Sequence, residues 1–318
     1  MLSLEPLLAF GGVSLDDLQP YVPIGLALGG VYAFSGLGIV VLYRTTGVIN
    51  LAFGAVGAAG GLISWYLIQH HDWPQWPAYG VAVLFGGVLT LAYGVIFGPA
   101  FAARDPLVKM MGTLGLALIV LGIMAWRAPP IAASVRILHL PTSDWEYRVG
   151  DATVTGTQTL ALALAVLLAV GTTLFLRFTR LGTAMRGLAN DREITATLGV
   201  PVRRVEAFAW FGSGLVCGIA GLVLADQLGT LDYAGLSFPL VIAALAAALI
   251  GQLRSLVGTL VGGLAIGLIQ GCLTAYFAWP KPELPVSQYR AMTPFMLAIL
   301  ALLWFARRRV VVISRTAR

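Results

Sequence analysis

Long apolar runs separated by short polar connections dominate the chain. Nine can be drawn, at roughly 21–43, 47–68, 78–101, 109–127, 157–176, 207–228, 235–251, 257–279 and 291–306. Each is near the ~20 residues a helix needs to cross about 30 Å of hydrocarbon. None carries the alternating ten-residue pattern of a membrane barrel, so helices are expected throughout. The fold class predicted is all-α: a polytopic transmembrane helical bundle of about nine spans (eight to ten), forming a single transmembrane domain over residues 1–318. No low-complexity linker marks a second domain.

Composition agrees. The chain is 58% apolar and 11% charged, with a mean hydropathy of +0.88, whereas a soluble domain carries about 25% charged residues. Charge placement then sets the orientation. With the first run crossing from outside to inside, fifteen of the twenty Lys and Arg fall inside, including Arg44, Arg104, Lys109, Arg254 and six arginines between 177 and 206. The positive-inside rule thus puts the N-terminus outside and the C-terminus in the cytoplasm. This placement accounts for the net charge of +6 without a nucleic-acid partner. Residues 1–20 hold Glu5, Asp16 and Asp17 and no Lys or Arg, so no signal peptide is expected. The outer loop 128–156, with Trp145 and Tyr147, is expected to form strands or to lie in the headgroup zone.

One inside connection, residues 177–206, has a helix signature of its own. Asn190 is followed three residues later by Glu193, the spacing of a capping box, and Gly199 and Pro201 supply a stop. A short capped helix from Asp191 to Leu198 is predicted, with Ile194 and Leu198 on one face. Such an element is suited to touching another protein; a solvated connection with a chance cap is the alternative.

Within the apolar runs, glycine is the main signal. Gly214/Gly218 and Gly258/Gly262 form G-x-x-x-G pairs, and Gly263, Gly267 and Gly271 extend the spacing, which suits close helix packing. The second run is different: Gly54 and Gly57 weaken it and Asn50 adds a polar amide. Asn50, Gly54 and Gly57 either line a translocation path or serve packing. No Asp, Glu, Lys, Arg or His falls at the midpoint of any run, against the pattern of ion-coupled carriers. The two cysteines, Cys217 and Cys272, have no metal spacing, adjacent His70 and His71 make a poor metal site, and neither lysine sits in a phosphate-binding loop. The chain is expected to bind no cofactor or metal, to be no enzyme, and to act as a conduit powered by something else.

Three blocks then carry a resemblance. In the central loop stand Gly182, Ala184, Arg186, Ala189, Asp191, Ala196, Leu198, Gly199 and Val200, with Gly187 where alanine is usual. They resemble the G-x-A-x-R-A-x-A-x-D…A…L-G-I/V loop of the branched-chain amino acid ABC transporter permeases. GVINLAFGAVGAAGG from Gly47 is similar to that family's G-x-x-N-[FL]-A-x-G block. AAALIGQLRSLVGTLVGG from Ala246 is similar to its V-L-G-G-x-G-S-x-x-G-x-x-x-G-G block, with Gln252 and Arg254 replacing two glycines. The resemblance covers nearly the whole chain in order, and the length suits the LivH-type subunit. It implies a multi-pass permease of the bacterial plasma (inner) membrane, in an importer for branched-chain or related amino acids. It also implies ABC ATPase subunits that use ATP, a second permease subunit (homologous or identical), and an extracytoplasmic solute-binding protein. Arg186, Ala189, Asp191, Glu193 and Gly199 would then shape the ATPase-coupling loop. A same-family permease for urea, short amides or another small organic solute is the alternative, and an ion-coupled secondary transporter a further one.

Overall fold

Which predicted runs fold as spanning helices, and where each begins, decides what lies at either end of the bundle. The computed structural model describes residues 19–101, 104–127, 137–149, 152–278, 293–297, 299, 300 and 303. The helices are α1 (Tyr21–Thr46), α2 (Phe53–His71), α3 (Gln75–Phe101), α4 (Pro106–Arg127), α5 (Gly156–Phe178), α6 (Arg180–Asn190), α7 (Arg192–Thr197), α8 (Val202–Leu228), α9 (Tyr233–Ile250) and α10 (Leu256–Ala278). Strands β1 (Glu146–Val149) and β2 (Ala152–Thr155) precede α5.

Among the described residues, seven helices are long and apolar enough to cross a membrane: α1, α3, α4, α5, α8, α9 and α10. They correspond to seven of the nine predicted runs. The second run requires correction. It is not helical from residue 47: the chain leaves α1 at Gly47, whose left-handed φ of +71° ends the helix, and turns helical again only at Phe53. The resulting α2 has 19 residues, ends in Gln69, His70 and His71, and is not among the seven. The ninth run and both chain termini lie largely outside the described residues.

Helix α1 is the centre of the bundle. Of its most apolar window 83% is buried, against 22% for α4 and α5, which stand at the rim and present Leu118, Ile119, Ile123, Val166, Leu167 and Val170 outward. Lipid does not drive helices together by the hydrophobic effect, so close backbone approach has to. Two antiparallel seams provide it. Along α1 and α10, a Cβ on Gly267 would lie 2.1 Å from Gly29 N, and one on Gly271 would lie 2.7 Å from Gly25 Cα. Along α3 and α8, a Cβ on Gly214 would lie 2.2 Å from Gly86 O, and one on Gly218 2.7 Å from Val83 Cα. Packing is therefore the role of these spaced glycines. A buried Tyr32 hydroxyl donates to Gln270 Oε1 at 3.0 Å, a polar tie within the first seam.

Alternation of the spans sorts the charges. Arg44, Arg104, Lys109, Arg177, Arg180, Arg186, Arg192, Arg203, Arg204 and Arg254 gather at one end, termed here the basic end. Among the described residues only Arg127 and Arg148 lie at the other. At that opposite end, β1 and β2 pair antiparallel with Glu146 facing Thr155, the strand form of the expected outer loop. The preceding segment is pinned to the bundle. Tyr79 donates its hydroxyl proton to His139 O at 2.7 Å, and Leu140 N–H donates to Asp226 Oδ1 at 2.8 Å. Thr155 and Gln158 then form a reciprocal capping box that starts α5.

Candidate functional site

The connection between α5 and α8 is built as two helices, where the sequence pointed to one. Thr179 starts α6 by accepting a hydrogen bond from Gly182 N–H at 2.9 Å. Its buried residues Gly182, Met185 and Leu188 recur at helical spacing. Met185 and Leu188 pack with Leu42, Leu176, Val205 and Trp210 into a second core at the basic end. This periodicity is present in the sequence as Gly182, Met185 and Leu188, three residues before the cap.

The predicted N-cap shifts by one residue. Asn190 closes α6, and Asp191 caps α7, its Oδ1 accepting from Ile194 N–H at 2.9 Å. Both residue types suit an N-cap; the need of α6 for one more helical residue decides between them. Among the described residues no bond from Glu193 completes a capping box, and Glu193 remains in the first turn, where its charge favours the positive helix end. Gly199 has φ of +83°, a left-handed position that ends α7.

Helix α7 folds back over α6. The Thr195 side chain lies where a Cβ on Gly187 would come within 3.1 Å, so glycine at this position lets the two helices meet closely. Arg192 forms an ion pair with Glu206 at 2.5 Å, tying the start of α7 to α8. The outward face holds Arg186, Asp191, Glu193 and Gly199, all exposed, with Ala189 half-buried. On the same side stand two large apolar side chains, Ile194 at 60% exposure and Leu198 at 78%. The loop thus offers an apolar knob framed by mixed charge and anchored to the bundle through α6 and the Arg192–Glu206 pair.

The Asn50 region is a separate site. Residues 48–52 are not helical, and four backbone donors between Gly47 and Ala52 have partners. Gly47 N–H donates to Tyr43 O at 2.7 Å, Val48 N–H to Thr46 Oγ1 at 3.2 Å, Leu51 N–H to Thr113 Oγ1 at 3.1 Å, and Ala52 N–H to Asn50 Oδ1 at 3.0 Å. Thr113 lies seven residues into α4, roughly 10 Å at 1.5 Å per residue. The non-helical segment therefore reaches inside the bundle. Irregular backbone at such depth requires burial in protein and internal partners, and Thr113 and Asn50 supply them. Asn50 is fully buried, and its Nδ2 has no hydrogen-bond partner among the described residues. Gly54 and Gly57 follow on α2. A Cβ on Gly54 would collide with Ser237 O of α9, and one on Gly57 would lie 2.6 Å from Cys217 O of α8. In this chain both glycines seat α2 against its neighbours.

The turn between α9 and α10 departs from the glycine-rich pattern and keeps a glycine-like backbone. Gln252 and Leu253 have φ of 55° and 54°, both left-handed. Arg44 Nη1 donates to Arg254 O at 3.1 Å and ties this turn to the end of α1.

The chain is similar to several known proteins. The family described as branched-chain amino acid transport system / permease component matches residues 22–303. The LivH permease protein of the high-affinity branched-chain amino acid transport system in Salmonella typhimurium is 25% identical over 295 residues, 88% of this chain and 91% of that protein. BraD of Pseudomonas aeruginosa, from a system of the same description, is also 25% identical over 295 residues, with the same coverage. A probable LivH of Methanocaldococcus jannaschii is 26% identical over 254 residues, 76% of each chain. A solved inward-facing ABC transporter of the metal-chelate type is 18% identical with a TM-score of 0.44, over 98% of this chain and 90% of that one. With 22–303 of its 318 residues matched, this chain belongs to the family of branched-chain amino acid transport permease components.

Proposed function

We propose that this chain is the membrane permease subunit of an ATP-driven importer for branched-chain or related amino acids, and that the α6–α7 loop is where a separate ATPase subunit docks. In this reading the basic end faces the cytoplasm, as the positive-inside rule requires. Ile194 and Leu198 enter a groove of the ATPase, Arg186, Asp191 and Glu193 frame the contact, and Ala189 and Gly199 allow the loop its shape. The ATPase holds and hydrolyses ATP, and this chain binds no cofactor and performs no bond chemistry. A second permease (a relative or a copy) completes the path, and an extracytoplasmic solute-binding protein delivers the substrate. Asn50, with its spare amide donor, faces the path, while Gly54 and Gly57 fix α2 beside it.

The observation that carries this reading is the exposed apolar pair on a loop otherwise anchored to the bundle, within a chain matched to a transport permease family. Burying a side chain of leucine or isoleucine size stabilises an interface by roughly 1.5–3 kcal/mol. The test is an Ile194→Asp/Leu198→Asp double variant in the whole transporter. Membrane insertion stays normal, while co-purification of the ATPase and ATP-dependent leucine, isoleucine and valine uptake fall by tenfold or more, at about 1.4 kcal/mol per tenfold. Full retention of the ATPase by the variant would sink the docking assignment. An intact native complex that imports none of the three amino acids would remove the substrate class instead.

A further inference from the structure

Three openings at the basic end of the bundle share wall residues in series. The widest is a cavity of about 880 Å³ whose wall includes Arg44, Lys109, Arg192 and Arg254 and no Asp or Glu. Glu206 lies beside it, bridged to Arg192 and close enough to Lys109 to interact with its charge. Four cations thus stand on one wall, with Arg192 bridged to Glu206. Through Arg44, Thr45 and Ala189 the cavity meets a narrow crevice that also contains Val41 and Met185. Those two residues in turn line an apolar groove of about 550 Å³ between α1, α5 and α8. On α8 the groove runs from Phe208 to Ile219, roughly 16 Å at 1.5 Å per residue. One leaflet of a ~30 Å hydrocarbon core has about that depth. Gly171 and Gly212 both line it, and a Cβ on either would meet nothing within 4 Å. Neither glycine is demanded by a neighbour, and their missing side chains leave the groove open.

We infer that these adjoining spaces form a binding site for one anionic phospholipid. Its phosphate-bearing headgroup sits among Arg44, Lys109, Arg192 and Arg254, and an acyl chain lies in the groove between α1, α5 and α8. Guanidinium groups match phosphate oxygens in charge and geometry, and basic pockets between membrane helices hold anionic headgroups. The groove separates a lipid from a soluble phosphate or an acidic peptide, since either of those would use the cavity alone. Because Arg192 opens α7 and Arg254 belongs to the α9–α10 turn, a bound lipid would join the loop to the bundle a second time. The inference does not rest on the transported substrate or on ATPase docking.

The test is native mass spectrometry of the purified chain with phosphatidylglycerol and phosphatidylcholine of matched acyl chains, added in equal amounts. Phosphatidylglycerol is retained in preference, by roughly fivefold for each engaged cation. Arg44→Gln/Arg254→Gln lowers that preference about twenty-five-fold. Gly171→Phe, which fills the groove away from the basic cavity, lowers retention of the anionic lipid with the gel-filtration profile unchanged. Equal retention of the two lipids by the native protein overturns the inference, and this comparison needs no variant. Retention surviving Gly171→Phe overturns it as well, because it would leave an anion site without a lipid chain.

Discussion

Thr113 is the residue on which the non-helical link between α1 and α2 depends. Its hydroxyl oxygen accepts from Leu51 N–H at 3.1 Å, and its proton lies within reach of Met110 O at 2.8 Å and Ile49 O at 3.1 Å. The side chain is fully buried. Thr113→Val keeps the shape, removes the acceptor, and leaves a backbone donor without a partner. An orphaned buried donor costs about 1–3 kcal/mol. If that cost falls on the closed form of the link alone, its opening equilibrium rises by roughly 5- to 150-fold, at RT of about 0.59 kcal/mol. Hydrogen exchange of the peptide spanning residues 47–53, measured in detergent or nanodiscs, reads that change directly. Thr113→Ser keeps the hydroxyl and serves as the control, with exchange near the native rate. Native-like protection of the Leu51 amide in Thr113→Val would refute the account of how this segment is satisfied.

Three other variants test the packing and the turn. Gln252→Gly relieves a left-handed backbone that costs a non-glycine residue roughly 1–2 kcal/mol, so the thermal midpoint in detergent rises; a fall would show that the Gln252 side chain stabilises the turn by more than its strain. Gly267→Val drives a Cβ into the α1 backbone, 2.1 Å from Gly29 N, and is expected to yield aggregated protein. Gly122→Ala on α4, where a Cβ meets nothing within 4 Å, is tolerated and stabilises by up to about 1 kcal/mol; equal behaviour of the two glycine variants on gel filtration would dismiss the seam.

Hydropathy alone located seven spanning helices, because a 20-residue apolar stretch has few other fates. It misplaced the start of α2, since GVINLA is as apolar as a helix end and only the bonds to Thr113 and Asn50 show that it is unwound. The spaced glycines were legible as packing elements, but their partners were not: nothing in the sequence pairs Gly267 with Gly29. At the α6–α7 loop, Gly199 could be read as the stop because a glycine before proline is an unambiguous signal. The cap could not be settled, because Asn190 and Asp191 are equally good candidates until α6 is known to exist. The left-handed pair Gln252 and Leu253 left no local mark at all; only the glycine expected at 252 hinted at that backbone.

The seams between α1 and α10 and between α3 and α8 also bear on how the bundle can move. Where main chain rests on main chain, there are no rotamers to exchange and no side chains to interdigitate in a new register. Each pair therefore behaves as a single strut. Relative motion of the pairs is left to a joint of another kind, the unwound span between Gly47 and Ala52, which can change its torsions without breaking a helix. In the importer proposed above, rigid struts and one soft joint would act as a lever, carrying a small displacement of α7 and α8 to the far face with little lost to local deformation.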